Sequence, residues 1–307
     1  SYISAFTILP LAVAKSFPTL CASFLVWGAF LTMQDVSMNA HATTVEHVEQ
    51  RRYMSGFHGV FSIGALLGGF IGGLCSQYGI SILKQNLGIS IYFIILATLV
   101  KSWWLPAQSD IHEFHKERKV QRPTILIFIG LLGLASTINE GAAGDWGGIL
   151  ARETFNAGPF LATLPYIFFC VAMIIGRLSG DFLAHRFGAS RVITAGGMIA
   201  GTGLATGLIV GGTPILMAAW FLLGLGLSVV IPLMFSAAGT IATKQYAGVI
   251  APSEAVATVS GVSYFGFVFG PPLIGFLAQH FTLRSALYLI VVCGFLLIFA
   301  SRYAQEA

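Results

Sequence analysis

Gly176-Arg177-Leu178-Ser179-Gly180-Asp181-Phe182-Leu183-Ala184-His185-Arg186-Phe187-Gly188-Ala189-Ser190-Arg191 is a short polar stretch between two long apolar runs. Its spacing has a physical sense. Gly176 and Gly180 stand four apart, so on a helix they share one face and let a neighbouring helix come close. Asp181 follows at the helix end, where it can pair with an arginine such as Arg186 or Arg191. Such a pair can latch one face of a helical bundle in one state.

The flanking apolar runs are typical of the whole chain. Of its 307 residues 56% are hydrophobic and 9% charged, with a mean hydropathy of +0.84. A soluble domain carries about 25% charge. The shortage of charge runs the length of the chain, which excludes a soluble domain with one anchor and indicates a polytopic membrane protein. The 36 glycines fit, because small residues let membrane helices pack closely. Apolar residues run continuously instead of alternating, so the expected fold class is an all-α membrane protein and not a β-barrel. Hydropathy places nine complete membrane helices at roughly 18–46, 53–78, 84–105, 124–150, 158–185, 190–211, 213–242, 253–279 and 283–303. Part of a tenth lies at roughly 1–14. Cys21, Cys75, Cys170 and Cys293 all fall in apolar segments without metal-ligand spacing and read as free thiols.

One linker is strongly polar, Gln108 to Arg122. It divides the chain into an amino-terminal half at 1–105, a central loop at 106–123 and a carboxy-terminal half at 124–307. The basic residues orient the helices. Arg51, Arg52, Lys101, Lys116, Arg118, Lys119, Arg122, Arg177, Arg186, Arg191, Lys244 and Arg302 fall in one set of loops, and only Lys15, Lys84, Arg152 and Arg284 in the other. The positive-inside rule puts the larger set, and the central loop, in the cytoplasm. The basic residues are dispersed, so nucleic acid is not an expected partner.

The two halves look alike. Both carry Gly-x-x-x-Gly, at Gly64 to Gly68 and at Gly266 to Gly270, an offset of 202 residues. By that offset a partner for the helix at 124 would begin about 78 residues before Ser1, as internal repeats in transporters would require. Roughly the first two and a half helices are therefore expected to be absent; a natural ten-helix protein is the alternative.

The stretch from Gly176 to Arg191 resembles the signature loop of the major facilitator superfamily, Gly-x-x-x-(Gly/Ala)-Asp-x-x-x-x-Arg-x-Gly-x-x-(Arg/Lys), in its second copy between helices 8 and 9. That resemblance implies a bundle of two pseudo-symmetric halves, with about ten of twelve helices present here. It makes Gly176, Gly180, Asp181, Arg186, Gly188 and Arg191 a cytoplasmic gate. Asp35-Val36-Ser37-Met38-Asn39 and Arg51 to Gly64 look like helices 4 and 5 of the fucose-permease-type symporters and their uncharacterised bacterial relatives, which carry an acid with Asn four residues on. Glu140 to Trp146 and Phe269 to Gly275 resemble helices 7 and 11 of those relatives. The permeases' second coupling acid lies on helix 1, one of the helices expected to be absent here, and His58 replaces a different polar residue. Sugar specificity is not carried over. A Gly-x-x-x-Gly-Pro pattern in helix 5 marks drug/proton antiporters; here Pro271 and Pro272 follow such a pattern in helix 11, where it reads as a closely packed, kinked helix between the halves.

An acid inside an apolar run is costly and reads as functional. Asp35 follows the run Thr19 to Gln34, and Asn39 shares its face one turn on. Alternating between protonated and ionised forms there is what a proton-coupled carrier requires. Gln34 and His58 are candidate cavity residues beside them. Asn139 and Glu140 lie deep in the helix at 124–150 as candidates for solute hydrogen bonding or a second proton site. Asp145, beside Trp146, reads as interfacial.

The expected function is secondary active transport of a small polar solute, sugar-like or similar, by proton-coupled symport across the bacterial inner membrane, working by alternating access. Proton-linked efflux and a non-transporting membrane sensor of the same fold are the alternatives. No Walker loop, nucleophile–base pair or metal cluster is present in the sequence, so neither an enzyme nor a cofactor is expected. The expected partners are solute, proton and bilayer, with the chain a monomer. Lacking helices 1 and 2, the 307 residues alone are expected not to transport; solute flux into proteoliposomes containing only this chain would overturn that.

Overall fold

The computed structural model describes residues 2–49, 54–103, 123–246, 250 and 252–305, and the described residues are helical, with no strand among them. Nine of their helices are long and apolar enough to cross a membrane, and a shorter apolar stretch, Tyr2–Val13, stands where part of a tenth was expected. The chain divides into two compact units. One comprises Ser1–His58 and Leu74–Lys116, the other Gly59–Gly73 and Glu117–Ala307.

In the first unit, α1 (Tyr2–Thr7) and α2 (Leu9–Val13) are one interrupted helix, followed by α3 (Phe17–Glu49). Pro10 starts α2, and its missing N–H frees part of the preceding turn. α5 (Ile82–Val100) answers that break. Asn86 Nδ2 donates to the Ile8 carbonyl at 3.0 Å, and Ser90 Oγ, one turn on, donates to the Ala5 carbonyl. Both side chains are buried. Between α3 and α5 runs α4 (Met54–Gln77), whose residues Gly59–Gly73 group with the second unit.

The second unit is built from α6 (Thr124–Asp145), α7 (Gly147–Phe155), α8 (Leu164–Phe187), α9 (Ala189–Val210), α10 (Thr213–Leu227), α11 (Val230–Lys244), α12 (Pro252–His280), α13 (Leu283–Ala286) and α14 (Tyr288–Leu296). Three predicted spans are interrupted. The one drawn over 124–150 stops at Asp145, and α7 continues it to a left-handed Asn156. The break lets Gly147 and Gly148 approach Pro165, Trp220 and the Ala162 carbonyl. The span over 213–242 divides at Ser228, whose hydroxyl donates back to Leu225 at 2.7 Å. The last span divides into α13, α14 and a 3₁₀ segment, Leu297–Gln305.

Glycine contacts set the packing. Where lipid supplies no hydrophobic drive between helices, close van der Waals approach holds them together. A Cβ added at Gly130 would meet Val262, and one at Gly133 would meet Ser263. At Gly266 it would meet Leu134, Thr137 and the Ile138 backbone, and at Gly270 it would meet Ile138. The Gly-x-x-x-Gly face of α12 therefore packs on α6, within its own unit, where the sequence placed it between the halves. α9 and α10 meet in the same way, Gly196 against Gly226 and Gly207 against Ala219. Trp220, Leu223, Leu216 and Leu204 fill the buried centre.

Polar side chains pin these contacts. The Ser263 hydroxyl lies 2.7 Å from the Val259 carbonyl and 3.2 Å from that of Gly130 across the α6–α12 interface. Asn139 is fully buried, and with its amide oriented as the flanking donor and acceptor require, its nitrogen lies 3.0 Å from the Ile290 carbonyl and its oxygen 3.3 Å from the Gly294 N–H of α14. Arg284 closes the carboxyl end of α9, donating to the carbonyls of Leu208 and, at 2.8 Å, Ile209. A cation suits that end of a helix.

Two stability changes follow. Gly266→Ala forces a methyl into the α6 backbone and should cost about 1–3 kcal/mol, whereas Gly261→Ala, with open space around it, should change stability by less than about 0.5 kcal/mol. Thermal unfolding of the purified chain in detergent separates the two; equal effects would refute the packing account. In the same assay Asn139→Ala leaves two buried backbone groups without this partner and should cost about 1–3 kcal/mol.

Candidate functional site

Three helices of the second unit bring polar side chains together. Arg177 lies thirteen residues into α8, about 20 Å from its start and 15 Å from its end at 1.5 Å per residue. Its Nη1 donates to Ser62 Oγ of α4 at 2.6 Å. Its Nη2 lies 3.6 Å from Glu140 Oε1 of α6. That separation makes an ion pair but is long for a hydrogen bond. Ser62 is buried, and the Arg177 and Glu140 side chains retain 18% and 28% exposure.

Two more residues continue this face of α8. Cys170 and Tyr166 precede Arg177 by seven and eleven residues, the spacing of one helical stripe. The two stand one turn apart on that stripe, Tyr166 half-buried and Cys170 buried. The Tyr166 ring packs over Gly69 of α4, where an added Cβ would stand 3.0 Å from it, and beside Gly144, one turn beyond Glu140. Gly73 of α4 meets Thr163 and Phe160 just before α8. The glycines thus let α4 approach α8 closely enough for Ser62 to reach Arg177.

The chemistry of the cluster is asymmetric. A guanidinium stays protonated in proteins, so Arg177 is a fixed charge. Glu140 is the member that can change charge by taking a proton. Tyr166, Cys170 and Ser62 add neutral hydrogen-bonding groups at its edge. A charged pair within helices this apolar is expensive, and such pairs mark functional sites.

The predicted site residues fall in different places. Glu140 is in the cluster. Asn139, its neighbour, turns to α14 and serves packing. Gln34 lies on α3 in the first unit, its amide 4.0 Å from the Met38 sulfur. Asp35 and Asn39 lie on α3 and His58 on α4, but their side chains fall outside the described residues, as does that of Asp181. In the gate motif, Gly176 abuts Ser228 and Gly180 abuts Val229, as close helix contact requires. Gly188 takes φ +86° and turns α8 into α9, a conformation that favours glycine. Arg186 and Arg191 are exposed, Arg186 lying 5.7 Å from the Phe187 ring centre.

Arg177 corrects the sequence reading, which counted it among cytoplasmic loop residues. It lies ten residues before the end of α8, inside the apolar span Leu161–Gly180. Its place in the motif drew it toward the loop. Its position within a span, on the stripe of Tyr166 and Cys170, was the signal that could have found it. Ser62, one of many serines, gave no such signal.

Comparison with known proteins bears on the same features. The sequence model of the Major Facilitator Superfamily matches residues 2–251 and, in a second match, 130–306. An uncharacterised MFS-type transporter of Yersinia pestis is 31% identical over 281 residues, covering 91% of this chain and 71% of the relative. An uncharacterised transporter of Sinorhizobium fredii is 30% identical over 290 residues, 92% of this chain and 74% of its own. The membrane protein MosC of Rhizobium meliloti is 27% identical over 286 residues, 92% of this chain and 67% of its own. Among solved structures, the MFS transporter FucP in its outward conformation aligns with a TM-score of 0.63 at 16% identity, over 99% of this chain and 80% of that one. FucP shares the fold. With a family match over most of its length and relatives named as transporters and not as enzymes, the chain belongs to the major facilitator superfamily of membrane transporters.

Proposed function

We propose that this transporter moves a small polar solute across the bacterial inner membrane by proton-linked symport, working as a monomer by alternating access. The halves are 1–105 and 124–307, joined by the central loop at 106–123. The observation that carries the reading is the ion pair of Arg177 and Glu140, tied to Ser62 within apolar helices. A permanent charge there needs a partner, and the partner it has is one that can be protonated. Binding of a proton at Glu140 would free donors on Arg177, which a polar solute could then occupy.

Asp35 is the proposed second proton site. It ends an apolar run on α3 and has Asn39 one turn on. Gln34 and His58 are proposed to line the solute path beside it. The gate is assigned to Asp181 with Arg186 and Arg191, set by Gly176, Gly180 and Gly188.

The test uses the chain expressed with whatever its gene encodes before Ser1. Cells in weakly buffered suspension are given a panel of small sugars, sugar acids and carboxylates. At least one solute should produce alkalinisation of the medium, and both Asp35→Asn and Glu140→Gln should reduce it to the level of cells without the protein. Lowered drug accumulation without alkalinisation would replace symport by efflux. Silence in both assays would favour the sensor.

A further inference from the structure

Arg177 cannot shed its charge, and that narrows what the cluster can bind. We infer that the solute is a small monoanion, most simply a carboxylate, held by the Arg177 guanidinium in place of Glu140; this rests on the transport reading of the same cluster. With Glu140 ionised, the pair is neutral and its helices carry no uncompensated charge. With Glu140 protonated, Arg177 is left as an uncompensated, largely enclosed cation among apolar membrane helices, which is disfavoured. A neutral solute leaves that charge unanswered. A monoanion restores neutrality, so one proton on Glu140 and one anion on Arg177 enter together and the cluster's net charge is zero both empty and loaded.

The geometry suits the exchange. The Glu140 contact is 3.6 Å and both side chains are part exposed, so the internal carboxylate is a loose occupant. Arg177 presents a planar fork of five donors, matched to two carboxylate oxygens at once. Its one hydrogen bond among the described residues, to Ser62 at 2.6 Å, orients the plane from the α4 side. Tyr166 and Cys170 offer hydrogen-bonding groups along the same stripe of α8.

No other charge among the described residues competes for Glu140. Asp145 lies five residues on, at the same end of α6, and bears the wrong sign to replace Arg177. On helices packed against α6, Arg152 and Glu153 of α7 are exposed beyond the end of α6, while Lys244 ends α11, Glu254 starts α12 and Arg302 lies in the last segment, these three toward the opposite end from Glu140. Tyr264 of α12 and Cys293 of α14 are neutral.

The test needs binding and not flux. The full gene product used in the transport assay, purified into lipid nanodiscs, is titrated with lactate and gluconate, each beside its neutral counterpart, methyl lactate and glucose. Tryptophan fluorescence reads binding, and a pH indicator in weak buffer reads proton uptake. At least one carboxylate should bind at least tenfold more tightly than its counterpart, with about one proton taken up per anion. Arg177→Gln should abolish that binding, and Arg177→Lys, which keeps the charge but loses the fork, should weaken it about tenfold. Glu140→Gln should bind the carboxylate without proton uptake and with affinity independent of pH, a result no purely structural role would give. Tighter binding of a neutral member, with proton uptake retained, would overturn the anion assignment and leave proton-linked transport standing. Proton uptake unchanged in Glu140→Gln, or no binding by any of the four, would overturn the assignment and the transport reading of the cluster together.

Discussion

A carbonyl freed from its helix inside a bilayer has no water to accept from, so neighbouring side chains must answer it. Much of the polar content of this bundle is arranged to that end. Asn86 and Ser90 answer the carbonyls at the break between α1 and α2. Arg284 caps the end of α9. Ser263 and Asn139 act differently, reaching backbone groups inside unbroken helices, Gly130 of α6 and Ile290 and Gly294 of α14, and so fasten helix to helix. Trp146 and Trp220 are the exceptions: their buried indole N–H groups have no acceptor among the described residues. Both lie at the α6–α7 break, where Gly147 packs on the Trp220 ring.

Against that pattern the Arg177 cluster is chemically distinct. Its contacts run from side chain to side chain, Arg177 to Ser62 and to Glu140, and serve no broken helix. A side chain bonded to backbone is held by a group that cannot change its charge. Glu140 is held by a group that cannot change, yet it can change itself. The polar residues thus divide into those that complete the fold and those left available for exchange, and burial alone does not make the distinction.

The sequence carried the bundle and its helix count plainly, because a shortage of charge and apolar runs of span length are properties of composition. It carried the signature loop too, since Gly176, Gly180 and Gly188 occupy the helix contact and turn that their spacing requires. Breaks inside spans were not legible. Nothing in the composition of 124–150 or 213–242 marks Trp146 or Ser228 as an interruption, because the cause is a tertiary approach by Pro165, Trp220 or Gly176. Pairing was the least legible feature. Asn139 and Glu140 were read together as neighbours, but successive helix residues point about 100° apart, and only the packing of α14 and α8 decides which faces what. Arg177 was assigned by its motif and not by its depth.

The division between Asn139 and Glu140 also explains how a site on α6 can change charge without disturbing the helix that carries it. On one face α6 is fastened to α14 by Asn139 and to α12 by glycine contacts at Gly130, Gly133, Gly266 and Gly270. Packed interfaces of this kind yield little to small local forces. Glu140 stands one residue further on, turned toward α8, where its partner Arg177 is a long side chain that can re-aim. On the proposed function, a change of protonation there would be met by rotation of Arg177 and not by displacement of α6. A binding group works best when its support is fixed by interactions outside the reaction, and Asn139, which touches none of the cluster, supplies that support from the adjacent position in sequence.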